Sequence, residues 1–163
     1  MTIRRVLVDG DPGLRTSAIT VSDQPGWRED ARDLLETLTD LKSREGFGRG
    51  LAAPQIGSPF RLIAFDCAIG RFVAVNPSLT WISDEQQQVL DDCFSVPGLR
   101  CLVMRALSVS FTCLDLDGNR RSFVRLSADL SELVQHELDH LDGVLMTDRS
   151  LQQPPGGSRL RMN

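Results

Sequence analysis

Both histidines of this 163-residue chain stand four residues apart, in the sequence His136-Glu-Leu-Asp-His140. Leucine and valine residues recur around them at intervals of three and four, which predicts an amphipathic helix from about Ser127 to Asp142. Ser127 suits the N-cap of this helix, and Gly143 suits its end. Residues i and i+4 share one helix face, so both imidazoles can reach one metal ion. The sequence therefore predicts a core-packed helix that carries a metal site.

Glu137 lies between the two histidines, where this pattern places a general base beside a water on the metal. A catalytic site of this kind usually takes three protein ligands. The chain has no third histidine and no glutamate after Glu137, which excludes the two common metalloprotease patterns. Asp142 and Asp148 remain candidates for the third ligand, and so do the cysteines, because thiolate binds divalent metals strongly.

The cysteines differ in their sequence settings. They are Cys67, Cys93, Cys101 and Cys113. Cys93 lies in a polar stretch that turns at Pro97-Gly98, and an exposed turn favours a ligand role over a packing role. The other three fall in or beside predicted strands, where cysteine usually fills the core. Cys93 is therefore the leading candidate for the third ligand.

Three short segments stand in order along the chain: Gly48-Arg-Gly-Leu-Ala-Ala-Pro-Gln55, Asp91-Asp-Cys-Phe-Ser95 and Gln135-His-Glu-Leu-Asp-His140. Together they resemble the peptide deformylase family, whose motifs read GxGxAAPQ, EGCLS and QHExDH. The resemblance implies an α+β fold, in which small antiparallel or mixed sheets surround a C-terminal helix that carries the His-Glu-x-x-His motif. It also implies a metal-dependent hydrolase of protein biosynthesis that removes an N-formyl group from formyl-methionyl peptides or a related compound.

The resemblance also implies roles for individual residues. Cys93, His136 and His140 would hold one divalent metal ion, natively Fe²⁺, with Zn²⁺, Ni²⁺ or Co²⁺ as substitutes. Glu137 would be the general base, while the side chain of Gln55 and the backbone N–H of Phe94 would stabilise the oxyanion. The implied substrate-binding positions are Gly48, Arg49, Gly50, Arg100, Asp129, Glu132 and Leu133. For Arg100, a solvated surface charge is an equal alternative.

The chain departs from the family around the substrate pocket. Positions 129, 132, 133, 136 and 140 share one helix face, which in the family lines an apolar pocket for a methionine side chain. Here that face carries Asp129 and Glu132, and Arg49 replaces an apolar residue opposite them. An internal ion pair would make the pocket polar and would favour a small or polar N-formyl or N-acyl substrate. If these side chains turn to solvent instead, the pocket stays ordinary.

Other functions remain open beside a deformylase. One is an amidase of the same chemistry that acts on a different acyl group. Another is a non-catalytic protein that holds ligands in the same site, although the presence of Glu137 and Gln55 argues against it. A protease is disfavoured by the missing third ligand of that class.

Composition limits the possible partners. The net charge of −4 gives no basic surface for nucleic acid, and no apolar run approaches the ~18 residues of a membrane span. Cysteines without paired spacing suit the reducing cytoplasm. The expected partner is an N-formylated peptide or small molecule, and the protein is expected to be a monomer.

The remaining patterns predict one catalytic domain over residues 1–151 and a mobile tail over 152–163, which contains Pro-Pro-Gly-Gly. A helix is predicted at about Trp27–Arg44. The predicted strands are Arg61–Asp66, Arg71–Asn76, Leu107–Leu116 and Arg121–Leu126.

Overall fold

The computed structural model describes residues 2–151, and the tail predicted for residues 152–163 lies outside the described residues. It contains two helices, α1 (Trp27–Glu45) and α2 (Ala128–Leu141). The strands are β1 (Gly50–Ala52), β2 (Leu62–Cys67), β3 (Gly70–Ile82), β4 (Gln86–Asp92), β5 (Arg100–Ala106), β6 (Val109–Leu114) and β7 (Arg120–Phe123). Short 3-10 turns occur at Pro12–Arg15, Ala53–Ile56 and Met146–Arg149.

The strands form two antiparallel sheets. The larger has the order β1-β2-β3-β6-β7, and the smaller pairs β4 with β5. Strand β1 therefore lies at an edge of the larger sheet, with β2 on one side only. An edge strand presents unpaired backbone groups, which allow a further strand to add there.

Strand β2 is buried on both faces because a helix covers each side of the larger sheet. Leu62 and Ala64 belong to an apolar cluster that includes residues of α1. Ile63 and Phe65 point the opposite way, into a cluster that includes residues of α2. Side chains alternate along a strand, so these four successive residues join two cores. Helix α2 is thereby held in one position against the sheet.

Helix α2 is enclosed more completely than its sequence predicted. Ser127 caps its N-terminus by accepting a hydrogen bond from the Leu130 N–H, as expected. The six consecutive residues 136–141 are all buried, whereas an amphipathic pattern predicts one exposed side. Asp139 is accommodated because Arg105 and Arg149 both donate to its carboxylate.

Most predicted elements are confirmed, including the α+β class and helix α1, which ends one residue later than predicted. Strands β1 and β4 were not predicted, and β5 was expected only as a strand beside Cys101. Strand β4 reads Gln-Gln-Gln-Val-Leu-Asp-Asp, and this polar segment becomes a strand because every residue pairs with β5. Within residues 2–151, neither helix has the length and apolar character that crossing a membrane requires.

Candidate active site and metal centre

Two segments bring the potential metal ligands together: α2 carries both histidines, and Cys93 directly follows β4. The ligand atoms of Cys93, His136 and His140 all lie within 4.8 Å of one another. The two histidine Nε2 atoms are 3.2 Å apart, and His140 Nε2 lies 3.2 Å from Cys93 Sγ. Cys93 follows the end of β4, so the small sheet delivers the sulfur to the two imidazoles on α2.

Cys93 is buried, whereas the sequence predicted that it lies in an exposed turn. The Pro97-Gly98 turn suggested an exposed cysteine, but Cys93 is buried in a cluster with Leu14, Val103 and Met146. Exposure was therefore the wrong reason for preferring this cysteine. Its position is set by packing in this cluster and by the contact of its sulfur with His140 on α2.

Asp91 orients the first histidine. Its Oδ2 lies 2.9 Å from Nδ1 of His136 and accepts from Arg105 Nη2 at 2.8 Å. Burial opposes ionisation of Asp91, but these two contacts hold the pKa of Asp91 below its usual value. An ionised carboxylate can only accept, so Nδ1 carries a proton, and Nε2 is the nitrogen that the neutral imidazole has free to bind a metal ion.

This set of donors fits a divalent metal ion. The Nε2 lone pair of His136, a second imidazole nitrogen and a thiol sulfur point at one location. In a tetrahedral site with metal–nitrogen bonds of ~2.0–2.1 Å, two nitrogens lie about 3.3 Å apart, close to the 3.2 Å between the histidines. A carboxylate behind a ligating histidine is the usual way to fix its orientation.

Gln55 presents its amide nitrogen to the same location. Its Oε1 accepts from the backbone N–H of Ala52 at 2.9 Å, which fixes the orientation of the amide because that N–H can only donate. Its Nε2 consequently faces Ser95 Oγ at 3.1 Å and Cys93 Sγ at 3.6 Å. The glutamine is buried, so its NH₂ group is held in place beside the sulfur.

Glu137 is a buried carboxyl group next to the potential metal ligand His136 in the sequence. Only 4% of its surface is exposed, and its Oε2 has no hydrogen-bond partner within residues 2–151. Burial raises the pKa of Glu137 to about 7. A carboxyl group with this pKa can both accept and release a proton near neutral pH.

Gly50 is in close contact with Glu137. A Cβ atom at Gly50 would lie 2.6 Å from Oε1 of Glu137 and 2.9 Å from its Cγ. Gly48 has φ +123°, and a Cβ there would meet the Phe94 ring at 2.8 Å. Both positions therefore require glycine, because residues 48–50 approach the Glu137 side chain and the Phe94 ring closely.

A cavity of about 420 Å³ opens beside these groups. The predicted site residues that line it are Gly48, Arg49, Gly50, Gln55, Cys93, Phe94, Glu132, Leu133, His136 and Glu137. Phe94 stacks on Phe47 with the ring centroids 4.8 Å apart, forming one wall. Arg100 and Asp129 are not among the lining residues: Arg100 is exposed and lies 3.7 Å from Asp92, whereas Asp129 contacts Arg49.

The arrangement has counterparts among known proteins. The sequence model of the family described as "Polypeptide deformylase" matches residues 3–154. This chain belongs to that family. It is a metallohydrolase that uses a single metal ion and removes the formyl group from N-formyl peptides. The peptide deformylase of Dictyoglomus thermophilum is 38% identical over 152 residues, which cover 93% of this chain and 95% of that protein. That of Thermomicrobium roseum is 37% identical, over 91% of this chain and 86% of that protein.

Solved deformylase structures share the fold. The enzyme from Thermotoga maritima superposes with a TM-score of 0.82 at 28% identity, over 93% of this chain and all of that one. The Synechococcus elongatus enzyme, solved in complex with actinonin, superposes with a TM-score of 0.81 at 32% identity, over 91% of this chain and 79% of that one. The expected fold class and activity are confirmed.

Some contacts of this deformylase site were not predicted from the sequence. The contact of Asp91 with His136 was not predicted. Ser95 was not expected to receive the amide of Gln55. The sequence held one signal for the Asp91 contact: Asp91 precedes Cys93 by two residues. In an extended strand, two residues at this spacing direct their side chains to the same face.

Alanine at Gly50 is expected to lower kcat of the deformylase by about 100-fold, because a displacement of roughly 1 Å in a catalytic group has a cost of this size. The added Cβ must push the Glu137 side chain away. Formate release under saturating substrate measures the effect, with metal content measured in parallel. Gly13→Ala is the matched control, since its Cβ meets only the ends of the Asp11 and Leu7 side chains. Equal kcat for Gly50→Ala and the wild type would show that the contact is unimportant.

Proposed function

We propose that Cys93, His136 and His140 hold a single Fe²⁺ ion in this deformylase, and that hydrolysis of the formyl group takes place beside it. The observation that carries the proposal is the convergence of these three ligand atoms within 4.8 Å, next to Glu137 and Gln55. The mixed sulfur and nitrogen set also accepts Zn²⁺, Ni²⁺ or Co²⁺.

Glu137 is the proton carrier of the proposed reaction. When bound, a divalent metal lowers the pKa of water to ~7 and polarises a carbonyl oxygen. Glu137 then accepts the proton of the attacking water and returns it to the amine that leaves. Its buried setting and its pKa near 7 support both steps.

Gln55 and Phe94 supply the proposed oxyanion donors. The Nε2 of Gln55 is held toward the metal ligands by the Ala52 N–H on its oxygen. The backbone N–H of Phe94 follows Cys93 directly and makes no hydrogen bond among residues 2–151. Donors fixed in advance stabilise the charge on the formyl oxygen, and each is typically worth ~2.7–4 kcal/mol in the transition state.

The edge of β1 is the proposed docking place for the substrate backbone. The cavity reaches from Gly48 and Gly50 to Leu133 on α2. An extended peptide can add to the free edge of β1 and place its formyl end at the metal ligands. A role for Arg100 in binding the remainder of the peptide stays a prediction.

The proposal takes residues 1–151 as one catalytic domain acting in the cytoplasm. All four cysteines are free, and a thiol that serves as a metal ligand requires a reducing compartment. A second candidate is an amidase for a small polar N-formyl or N-acyl compound, which the ion pairs of Arg49 with Glu132 and Asp129 favour.

Formate release tests the proposed function directly. The protein loaded with Fe²⁺ under anaerobic conditions is expected to hydrolyse N-formyl tripeptides, with kcat/KM in the usual enzyme range of ~10⁴ M⁻¹s⁻¹ or above for its preferred sequence. The matching N-acetyl peptides serve as controls for the acyl group. Hydrolysis of the acetyl series alone would favour the amidase, and an inactive protein with one metal ion per chain would contradict both functions.

A further inference from the structure

The side chain of Arg49 crosses the cavity from the start of β1 to α2. Its Nη2 donates to Oε1 of Glu132 at 2.6 Å, and its Nη1 donates to Oδ1 of Asp129 at 2.7 Å. The side chain of Glu132 is only 16% exposed, while that of Asp129 is 73% exposed. Glu132 is therefore the partner inside the cavity, and Asp129 anchors the outer end of the guanidinium group.

This ion pair lies where the side chain next to the formyl group must go. Glu132 precedes His136 by four residues, so both side chains lie on the same helix face. Arg49 and Glu132 line the same cavity as Cys93 and Glu137. A substrate whose formyl carbon lies at the metal ligands has its adjacent side chain within a few ångströms of them, and thus in this cavity.

The chemistry of the ion pair favours hydrogen-bonding side chains. A long apolar side chain packed over it would remove water from a guanidinium and a carboxylate without replacing the lost hydrogen bonds. A polar side chain of the same length can donate to Glu132 or accept from Arg49. Leu133 also lines the cavity as an apolar residue, while the Arg49 side chain remains 38% exposed.

We propose that the ion pair between Arg49 and Glu132 sets the specificity of this enzyme, by selecting N-formyl peptides whose first side chain is polar over those with a long apolar side chain. The proposal rests on the proposed deformylase function. It assigns Arg49 and Glu132 to substrate selection and leaves the hydrolytic step to the groups described above.

Two tripeptides with first side chains of nearly equal length, formyl-glutaminyl and formyl-norleucyl, test the selection. The wild-type enzyme is expected to hydrolyse the glutaminyl peptide with a kcat/KM at least equal to that for the norleucyl peptide. Replacing both charges in the variant Arg49→Leu with Glu132→Leu is expected to shift this ratio toward norleucine by about 10-fold to 100-fold, the worth of a hydrogen bond to a charged group. The shift should fall mainly on KM.

A control variant, a milder variant and a binding measurement show whether the ion pair itself causes the selection. The variant Arg44→Leu with Asp40→Leu removes an exposed ion pair from α1 and should leave the ratio unchanged. The milder variant Glu132→Gln keeps the shape of the cavity if the double variant folds poorly. Calorimetric binding of the two deformylated peptides measures the same preference without turnover.

The outcomes separate the two proposals. A wild-type preference for norleucine, or an unchanged ratio in both cavity variants, would overturn the selection while leaving the deformylase function intact. Absence of turnover for both peptides in the metal-loaded protein would contradict the function itself, and the calorimetric comparison would still decide the selection.

Discussion

Glutamine in place of Glu137 is expected to lower kcat for an N-formyl peptide by about 10²–10⁴-fold, the usual contribution of a general acid–base group. The substitution keeps the size of the side chain but removes its ability to accept a proton. Since Glu137 makes no hydrogen bond through Oε2 within residues 2–151, little else in the site depends on its charge. KM should change far less than kcat, because the residue acts on the reacting atoms.

The same variant should be more stable than the wild type at high pH when the metal is removed by a chelator. Burial raises the pKa of Glu137 in the folded chain to about 7, above its ordinary value of 4.5. Folding is therefore unaffected by this group below pH 4.5 and is progressively opposed as the pH rises to 7. Above pH 7 the buried charge lowers the free energy of unfolding by its full amount, on the order of 3 kcal/mol, because each pKa unit corresponds to about 1.36 kcal/mol. Chemical denaturation at pH 5 and pH 9 measures the difference.

Two controls accompany this variant. Metal content must equal that of the wild type, so that lost activity reflects the proton transfer. Glu85→Gln changes an exposed glutamate and should alter neither kcat nor the pH dependence of stability. If Glu137→Gln retains more than a tenth of the wild-type kcat with full metal content, another group moves the proton.

The sequence predicted the chemical groups of this site better than their surroundings. Periodic leucines and the Ser127 cap define α2 locally, so its histidines could be placed without tertiary information. The same periodicity put Asp129 and Glu132 on the face of His136, whereas it left open whether they pair with Arg49 or turn to solvent; the structure has the ion pairs. These inferences succeeded because each used spacing along a single helix.

Long-range pairing decides the parts of the structure that the local sequence did not predict. Strand β4 is polar and lacks a strand-like pattern, and it forms because β5 pairs along its whole length. Its last residues carry Asp91 to His136, a contact across 45 positions. The burial of Cys93 follows from this pairing, which explains why the local Pro-Gly turn gave the wrong expectation of exposure.

Alanine in place of Cys93 is expected to abolish stoichiometric metal binding and, with it, measurable deformylation. Changes to residues that only orient a ligand typically weaken metal affinity by ~10–100-fold, so loss of a ligand atom should exceed that range. Metal analysis after gel filtration measures the content per chain. The buried sulfur is small, and its removal should leave the chain folded at room temperature.

Thermal stability gives a second measurement for Cys93→Ala that does not depend on activity. A ligand that binds only the folded state at 1,000 times its Kd stabilises that state by ~4.1 kcal/mol. Metal should therefore raise the Tm of the wild type by several degrees and leave that of Cys93→Ala almost unchanged. Cys113→Ala removes another buried cysteine, on β6, and should keep the full metal-dependent increase in Tm. An equal increase in the Cys93 and Cys113 variants would show that the sulfur of Cys93 is not a ligand, and would return Asp142 and Asp148 as candidates.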